Sequence, residues 1–191
     1  LGLYHFDNKY SQNTIQAANG ILALSENDLK KSPVRFLVSG WEFYPDALLT
    51  PEEIQDSDHY MRYLSIGEMS NFSSSADSSP YGCGTYRMTF FLPERKEAYA
   101  IELPEVFSSY TLYLDHDRIL QLGDPEQRIP LVQNRMVTFY GGKPVTLTIA
   151  VSNYDHFYGG IVYPPAFGTM LAVNTSRGIR FAFCLFSCTV T

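Results

Sequence analysis

Through most of the chain, apolar and polar residues alternate with period two. Between Tyr86 and Leu92, the residues Tyr86, Met88, Phe90 and Leu92 fall on one side of an extended chain, with Arg87 and Thr89 on the other. Between Val145 and Ser152, Val145, Leu147, Ile149 and Val151 oppose Thr146, Thr148 and Ser152. From Ser109 to Asp115, Tyr110, Leu112 and Leu114 share a side. Successive side chains of a strand point to opposite faces, so this period predicts strands with one face in a core. The stretches 34–44, 59–67, 98–104, 118–123 and 136–142 are further strand candidates. The turn-rich segments 92–97, 114–118, 123–130 and 141–144 separate them.

Helical periodicity is scarce. The clearest start signal is Thr50-Pro51-Glu52-Glu53: a capping threonine, a proline suited to the first helical position, and two acids at the positive end of the helix dipole. It predicts one short helix or turn. Leu29-Lys30-Lys31 and Arg95-Lys96-Glu97 read as turns. Many short strands with almost no helix predict an all-β fold, a β-sandwich or barrel, in one domain over residues 1–178. The apolar tail 179–191 is either a buried last strand or the first turns of a membrane-proximal helix. The serine-rich stretch Asn71 to Gly84 cannot bury much apolar surface and reads as an exposed, mobile loop.

Composition sharpens this picture in two places. Aromatic residues make up 15% of the 191 residues, with 14 Tyr and 13 Phe against one Trp, which favours strands and offers rings for ligand stacking. The net charge of −6 with no basic block argues against nucleic acid as a partner, since phosphate contacts need a basic face. Three cysteines, Cys83, Cys184 and Cys188, do not make a disulfide framework, and read as buried free thiols. The four scattered histidines and the turn carboxylates Asp115, Asp117, Asp124 and Glu126 lack metal-site spacing, so no metal or cofactor is expected. No nucleophile elbow, phosphate-binding glycine loop or distinguishable pair of glycosidase carboxylates is present, so no catalytic residues are assigned.

Four segments carry a family resemblance: GWEFYPDALLTPEE from Gly40, GCGTYRMTFFLPE from Gly82, AIELPEVFSSYTLYLDHDRILQLGDPE from Ala100 and VSNYDHFYGGIVYPPAFG from Val151. In this order they resemble the N-terminal extracellular domain of bacterial seven-helix membrane sensors with diverse intracellular signalling modules. That domain is in turn similar to the sugar-binding jelly roll of family 2 glycoside hydrolases. The resemblance covers about Ala18 to Gly168. It implies a jelly-roll β-sandwich, similar to galactose-binding domains, that serves as a sensor domain of histidine-kinase or cyclase type on the extracellular side of the bacterial cytoplasmic membrane. Such a domain would bind a small polar ligand, carbohydrate among the candidates, and reach the membrane through segments outside residues 1–191. The chain departs from the family at the hairpin, where Asp115-His116-Asp117-Arg118 replaces the usual Asn-Gly. The other readings are a dimerising module with no small-molecule ligand, and an ancillary carbohydrate-binding domain of a glycoside hydrolase.

The candidate ligand-binding residues are Arg87, Tyr110, Asn153, Asp155, His156 and Tyr158. Asn153, Asp155 and His156 follow the strand that ends near Ser152. Asn supplies a donor and an acceptor, His adds a donor, and the tyrosine ring can stack, which is the mixture a polyol needs. Gly159-Gly160 would permit a close approach of ligand or chain to the backbone. The alternative is that Asn153 and Asp155 satisfy backbone groups of a turn. Arg87 either grips a ligand oxygen or forms an ion pair with Glu102 or Asp115. Trp41, next to Glu42 and Phe43, is either a groove residue or core.

Overall fold

The computed structural model describes residues 14–56, 58–67, 72, 79–157 and 159–189, with side chains to 183. Among the described residues, eleven strands form two sheets, and three helices decorate them. The strands are β1 (Ile21–Ala23), β2 (Val34–Phe36), β3 (Trp41–Pro45), β4 (Arg62–Leu64), β5 (Gly82–Phe91), β6 (Tyr99–Leu103), β7 (Ser109–Leu114), β8 (Asp117–Leu122), β9 (Arg135–Phe139), β10 (Val145–Asn153) and β11 (Ala166–Thr169). The helices are α1 (Glu26–Lys31), α2 (Pro51–Asp56) and α3 (Met170–Thr189).

The larger sheet has the order β4-β3-β5-β10-β7-β8, with β1 added in parallel to the far half of β5. The smaller has the order β2-β11-β6-β9. All pairings except β1–β5 are antiparallel, and the result is the all-β sandwich that period two predicts. The long central pair β5–β10 runs in register from Val145 opposite Phe90 to Asn153 opposite Gly82. That register puts Tyr86, Met88 and Phe90 beside Ile149, Leu147 and Val145 on the inner face, where the first five are at most 1% exposed. Phe139 and Phe167 come from the smaller sheet to meet Phe90, at centroid distances of 5.6 and 5.3 Å, and Tyr99 stacks on Phe167 at 5.8 Å. Each such buried ring contributes on the order of 2 kcal/mol by leaving water. Trp41 belongs to this core: it is wholly buried, and its indole N–H donates to the Leu37 carbonyl at 3.0 Å.

The Thr50 start signal is realised as α2. Glu53 N–H donates to Thr50 Oγ1, and Thr50 N–H donates to Glu53 Oε2 at 2.8 Å, so the two residues cap one another. One described helix escapes the sequence reading, and another begins earlier than the tail in which a helix is one of two readings. Lys30 and Lys31, read as part of a turn, end α1, which Ser25 and Asp28 close with the same reciprocal cap. The Asp28 carboxyl is held below its usual range, first by the Ser25 hydroxyl and then by the Ser25 backbone N–H.

The tail from Ile179 is not a strand. It continues α3, which starts nine residues earlier at Met170. Thr169 and Glu97 accept from the exposed N–H groups of Ala172 and Leu171, so the helix start is fixed partly by a residue 74 positions away. Val173 buries itself against the smaller sheet, and Arg177 and Arg180 reach Glu102 on β6. Among the described residues, no helix is long and apolar enough to cross a membrane.

Cys83 is a free, half-buried thiol that burial pushes up. The side chains of Cys184 and Cys188 lie outside the described residues, as do residues 71 and 73–78 of the serine-rich stretch. Phe72, inside that stretch, is fully buried in the core.

Candidate ligand-binding site

The outer face of the larger sheet is polar, because it carries the positions that alternate with the core. Pairing registers align these positions into rows. One row reads Gln121, Thr111, Ala150, Thr85, Tyr44 across β8, β7, β10, β5 and β3. The next reads Arg118, Tyr113, Thr148, Arg87, Glu42, and ends on Tyr63 of β4. These polar positions are not solvated in the ordinary way: Thr85 and Thr148 are fully buried and Thr111 is 7% exposed. The chain folds back over them from two sides.

The first cover is the segment before α2. Thr85 holds it down, its hydroxyl donating to the Ala47 carbonyl at 2.8 Å and accepting from Leu49 N–H at 2.9 Å. The second is the loop after β8. Asp124 and Ile129 exchange backbone hydrogen bonds of 2.8 and 3.0 Å across it, and Asp124 Oδ1 accepts from the N–H groups of Glu126 and Gln127. Between the covers lies a cavity of about 400 Å3, within the range in which small-ligand sites occur. Thr111, Tyr113 and Ala150 line it from the sheet, Leu48 to Thr50 and Glu53 from one wall, and Arg118, Gln121 and Asp124 to Glu126 from the other.

Ala150 makes the hollow possible. It is the smallest side chain in its row and sits between Thr111 and Thr85, so the middle of the sheet is left low. The lining offers hydroxyls from Thr50, Thr111 and Tyr113, an amide from Gln121, a guanidinium and three carboxylates. Burial pushes the Tyr113 hydroxyl up, against an opposing pull from Arg118. On the same face beside Tyr113, the buried Thr148 hydroxyl finds no hydrogen-bond partner among the described residues. Two exposed side chains outside the lining link α2 to the sheet: His116 Nδ1 of the β7–β8 turn lies 2.7 Å from Glu52 Oε1. Among the described residues, no group of three His, Cys, Asp or Glu residues is placed to hold a metal ion.

The six residues singled out from the sequence do not converge here. Arg87 lies on the outer face but outside the cavity lining, in an ion pair with Glu42 at 2.9 Å; Glu102 and Asp115, the partners considered from the sequence, are engaged elsewhere. Glu102 holds Arg180 on the opposite sheet, and Asp115 Oδ1 accepts from Thr146 N–H. Tyr110 is on the inner face, opposite Val151 and wholly buried, with its hydroxyl ionisation pushed up to about 12 by burial. Asn153 is 2% exposed, and its amide is engaged within the turn: it donates to the carbonyls of Pro80 and His156 at 2.7 and 2.6 Å and accepts from His156 N–H at 3.2 Å. His156 is stacked between Phe107 and Phe157, with centroids at 4.6 and 4.7 Å. Asp155 is exposed beside it, and Tyr158 lies outside the described residues. The close approach at Gly160 is made by the protein itself. Its φ is +77°, and a Cβ there would sit 2.2 Å from the Tyr86 hydroxyl.

The cavity's sheet residues were visible in the sequence only as the polar half of each alternation, a half that ordinarily faces water. The covers that turn it into a site come from segments far away in sequence.

No family model and no curated protein matches this chain. Solved structures share its fold. A glycosyl hydrolase family 2 member from Bacteroides cellulosilyticus superposes with a TM-score of 0.55 at 11% identity, over 72% of this chain and 20% of that one. Bacteroides uniformis β-glucuronidase 3 gives 0.52 at 11% identity, over 73% and 22%. Faecalibacterium prausnitzii β-glucuronidase gives 0.50 at 15% identity, over 72% and 32%. The chain therefore spans less than a third of the length of these enzymes. The likeness establishes the sandwich fold.

Proposed function

We propose that this chain is a non-catalytic binding module that holds a small polyhydroxylated ligand, a carbohydrate by the chemistry of the lining, on the outer face of its larger sheet. The observation that carries this reading is the cavity over Ala150, whose floor and walls supply both donors and acceptors to one space of about 400 Å3. The shared fold with family 2 hydrolases supports it as an ancillary carbohydrate-binding domain, because the matched region is a minor part of each enzyme.

The test is a change of shape. Ala150→Leu adds bulk to the cavity floor on the face away from the core, where it displaces ligand without overfilling the interior. A panel of mono- and disaccharides should raise the melting temperature of the wild type in a concentration-dependent way, since a ligand bound only by the folded state stabilises it. Ala150→Leu should fold and lose that shift. A panel that leaves the wild-type melting temperature unmoved, or moves both proteins equally, would overturn the assignment.

A second reading places this module on the outer side of the bacterial cytoplasmic membrane, as the ligand-sensing domain of a signalling receptor. The ordered motif series favours it, as does α3, which leaves the sandwich with Leu171, Ile179, Phe181 and Phe183 at least partly exposed. The check is protease treatment of intact cells expressing the full-length protein with a tag in the 92–97 turn. Loss of the tag supports an extracytoplasmic module, and protection argues against it.

A further inference from the structure

On the reading that the cavity over Ala150 binds a sugar, the charge of its walls says which kind. Carboxylates stand on both sides: Glu53 on the α2 wall, Asp124 and Glu126 on the loop wall. The lining holds one guanidinium, Arg118, which belongs to the outermost strand β8 and leans towards Gln121 Oε1 at 3.5 Å. Glu53 and Asp124 are fixed in place by their own turns, through Thr50 N–H and through the N–H groups of Glu126 and Gln127. Their charges are therefore held where they are whether or not a ligand is present. The carboxylates do not gather into a metal-holding cluster among the described residues. Their field acts instead on whatever occupies the space between the walls. Tyr113 adds an aromatic ring to the same lining, and aromatic rings attract cations. In a chain of net charge −6, the rest of the molecule reinforces rather than cancels this field.

We infer that the site selects by charge: it takes an amine-bearing sugar in preference to the neutral sugar of the same shape, and rejects the corresponding uronic acid. An ammonium between the walls faces three carboxylates against one guanidinium, whereas a uronate carboxylate meets the reverse of what it needs. Partly exposed pairs of this kind are worth about a two- to fivefold preference.

The probes are galactosamine, galactose and galacturonate, with glucosamine, glucose and glucuronate as a second series, titrated calorimetrically at low and high salt. The expected order within each series is amine, then neutral sugar, then uronate. The advantage of the amine should shrink in high salt, because screening weakens exposed charges. Glu126→Gln should reduce the ratio of amine to neutral affinity by up to about twofold. Glu126 is exposed and its side chain caps nothing, so the variant folds. Equal affinities for amine and neutral sugar, or tighter binding of a uronate, would overturn the inference while leaving the sugar-binding assignment intact. Failure of every sugar in both series would remove that assignment and this inference together.

Discussion

The guanidinium carbon of Arg128 lies 3.9 Å from the centroid of the Tyr154 ring. Arg128 belongs to the loop that forms one wall of the cavity, and Tyr154 follows the last residue of β10 directly, so this contact ties the wall to the end of the central strand. Arg128 holds it with a positive φ of 62°, a conformation uncommon for a side chain of its size. Arg128→Ala should cost about 1 kcal/mol or less in global stability, the scale of an exposed cation–π contact. It should nevertheless loosen the wall: faster amide exchange across 124–130 and a several-fold loss of sugar affinity are expected. Unchanged exchange there would show that the backbone pairing of Asp124 with Ile129 suffices.

Thr85 anchors the opposite wall with one hydroxyl used twice, towards Ala47 and from Leu49. Thr85→Val keeps the shape and removes both bonds. The buried Leu49 N–H then has no acceptor, so the loss should be about 1–3 kcal/mol in urea unfolding. Affinity should fall along with it. A stability change within experimental error would mean that the segment is held by packing alone.

The contact between His116 and Glu52 makes a pH prediction. The Glu52 carboxyl is held below its ordinary value of 4.5, first by the N–H at its own position in the first turn of α2 and then by His116. A depressed carboxyl contributes stability that is present above its unfolded value and is lost as pH falls through the lower folded one. His116→Ala should therefore raise the Glu52 titration midpoint, measured by NMR, without restoring it fully, because the backbone donor remains. A midpoint that does not move would show that the ring contributes nothing in solution.

Glu102 on β6 is the anchor of α3. Its side chain is 9% exposed and meets Arg180, with Arg177 Nε at 3.9 Å. Arg180→Met leaves the buried Glu102 carboxylate only the more distant, exposed Arg177, so it should destabilise by about 1–3 kcal/mol. The double variant Arg180→Met with Glu102→Leu should recover most of the loss in thermal unfolding. Equal losses in the single and double variants would mean that α3 is held by Val173 and its neighbours rather than by the ion pair.

Much of this molecule was legible in one dimension. Tyr86, Met88 and Phe90 on one side and Arg87 and Thr89 on the other already describe β5, and the polar partners Thr146, Thr148 and Ser152 describe the outer face of β10. Period two follows from the geometry of a single extended strand, so it survives without knowledge of neighbours. The Thr50–Glu53 cap was equally visible, because a cap is made within one turn. The Ser25–Asp28 cap is as local, but it closes a helix of six residues with too little periodicity to stand out.

What the chain alone did not decide is where its polar faces would be covered. Arg87 could name its charge from the sequence but not its partner, since Glu42 is 45 residues away and becomes its neighbour only through the pairing of β3 with β5. Asn153 displayed the donors and acceptors of a ligand contact, yet the approach of Pro80 and the turn at His156 engage them. The cavity over Ala150 exists because Thr85 pulls one segment across the sheet and the loop near Asp124 closes from the other side. Alternation determines which residues share a face; only long-range packing decides whether that face meets water, a helix or a ligand.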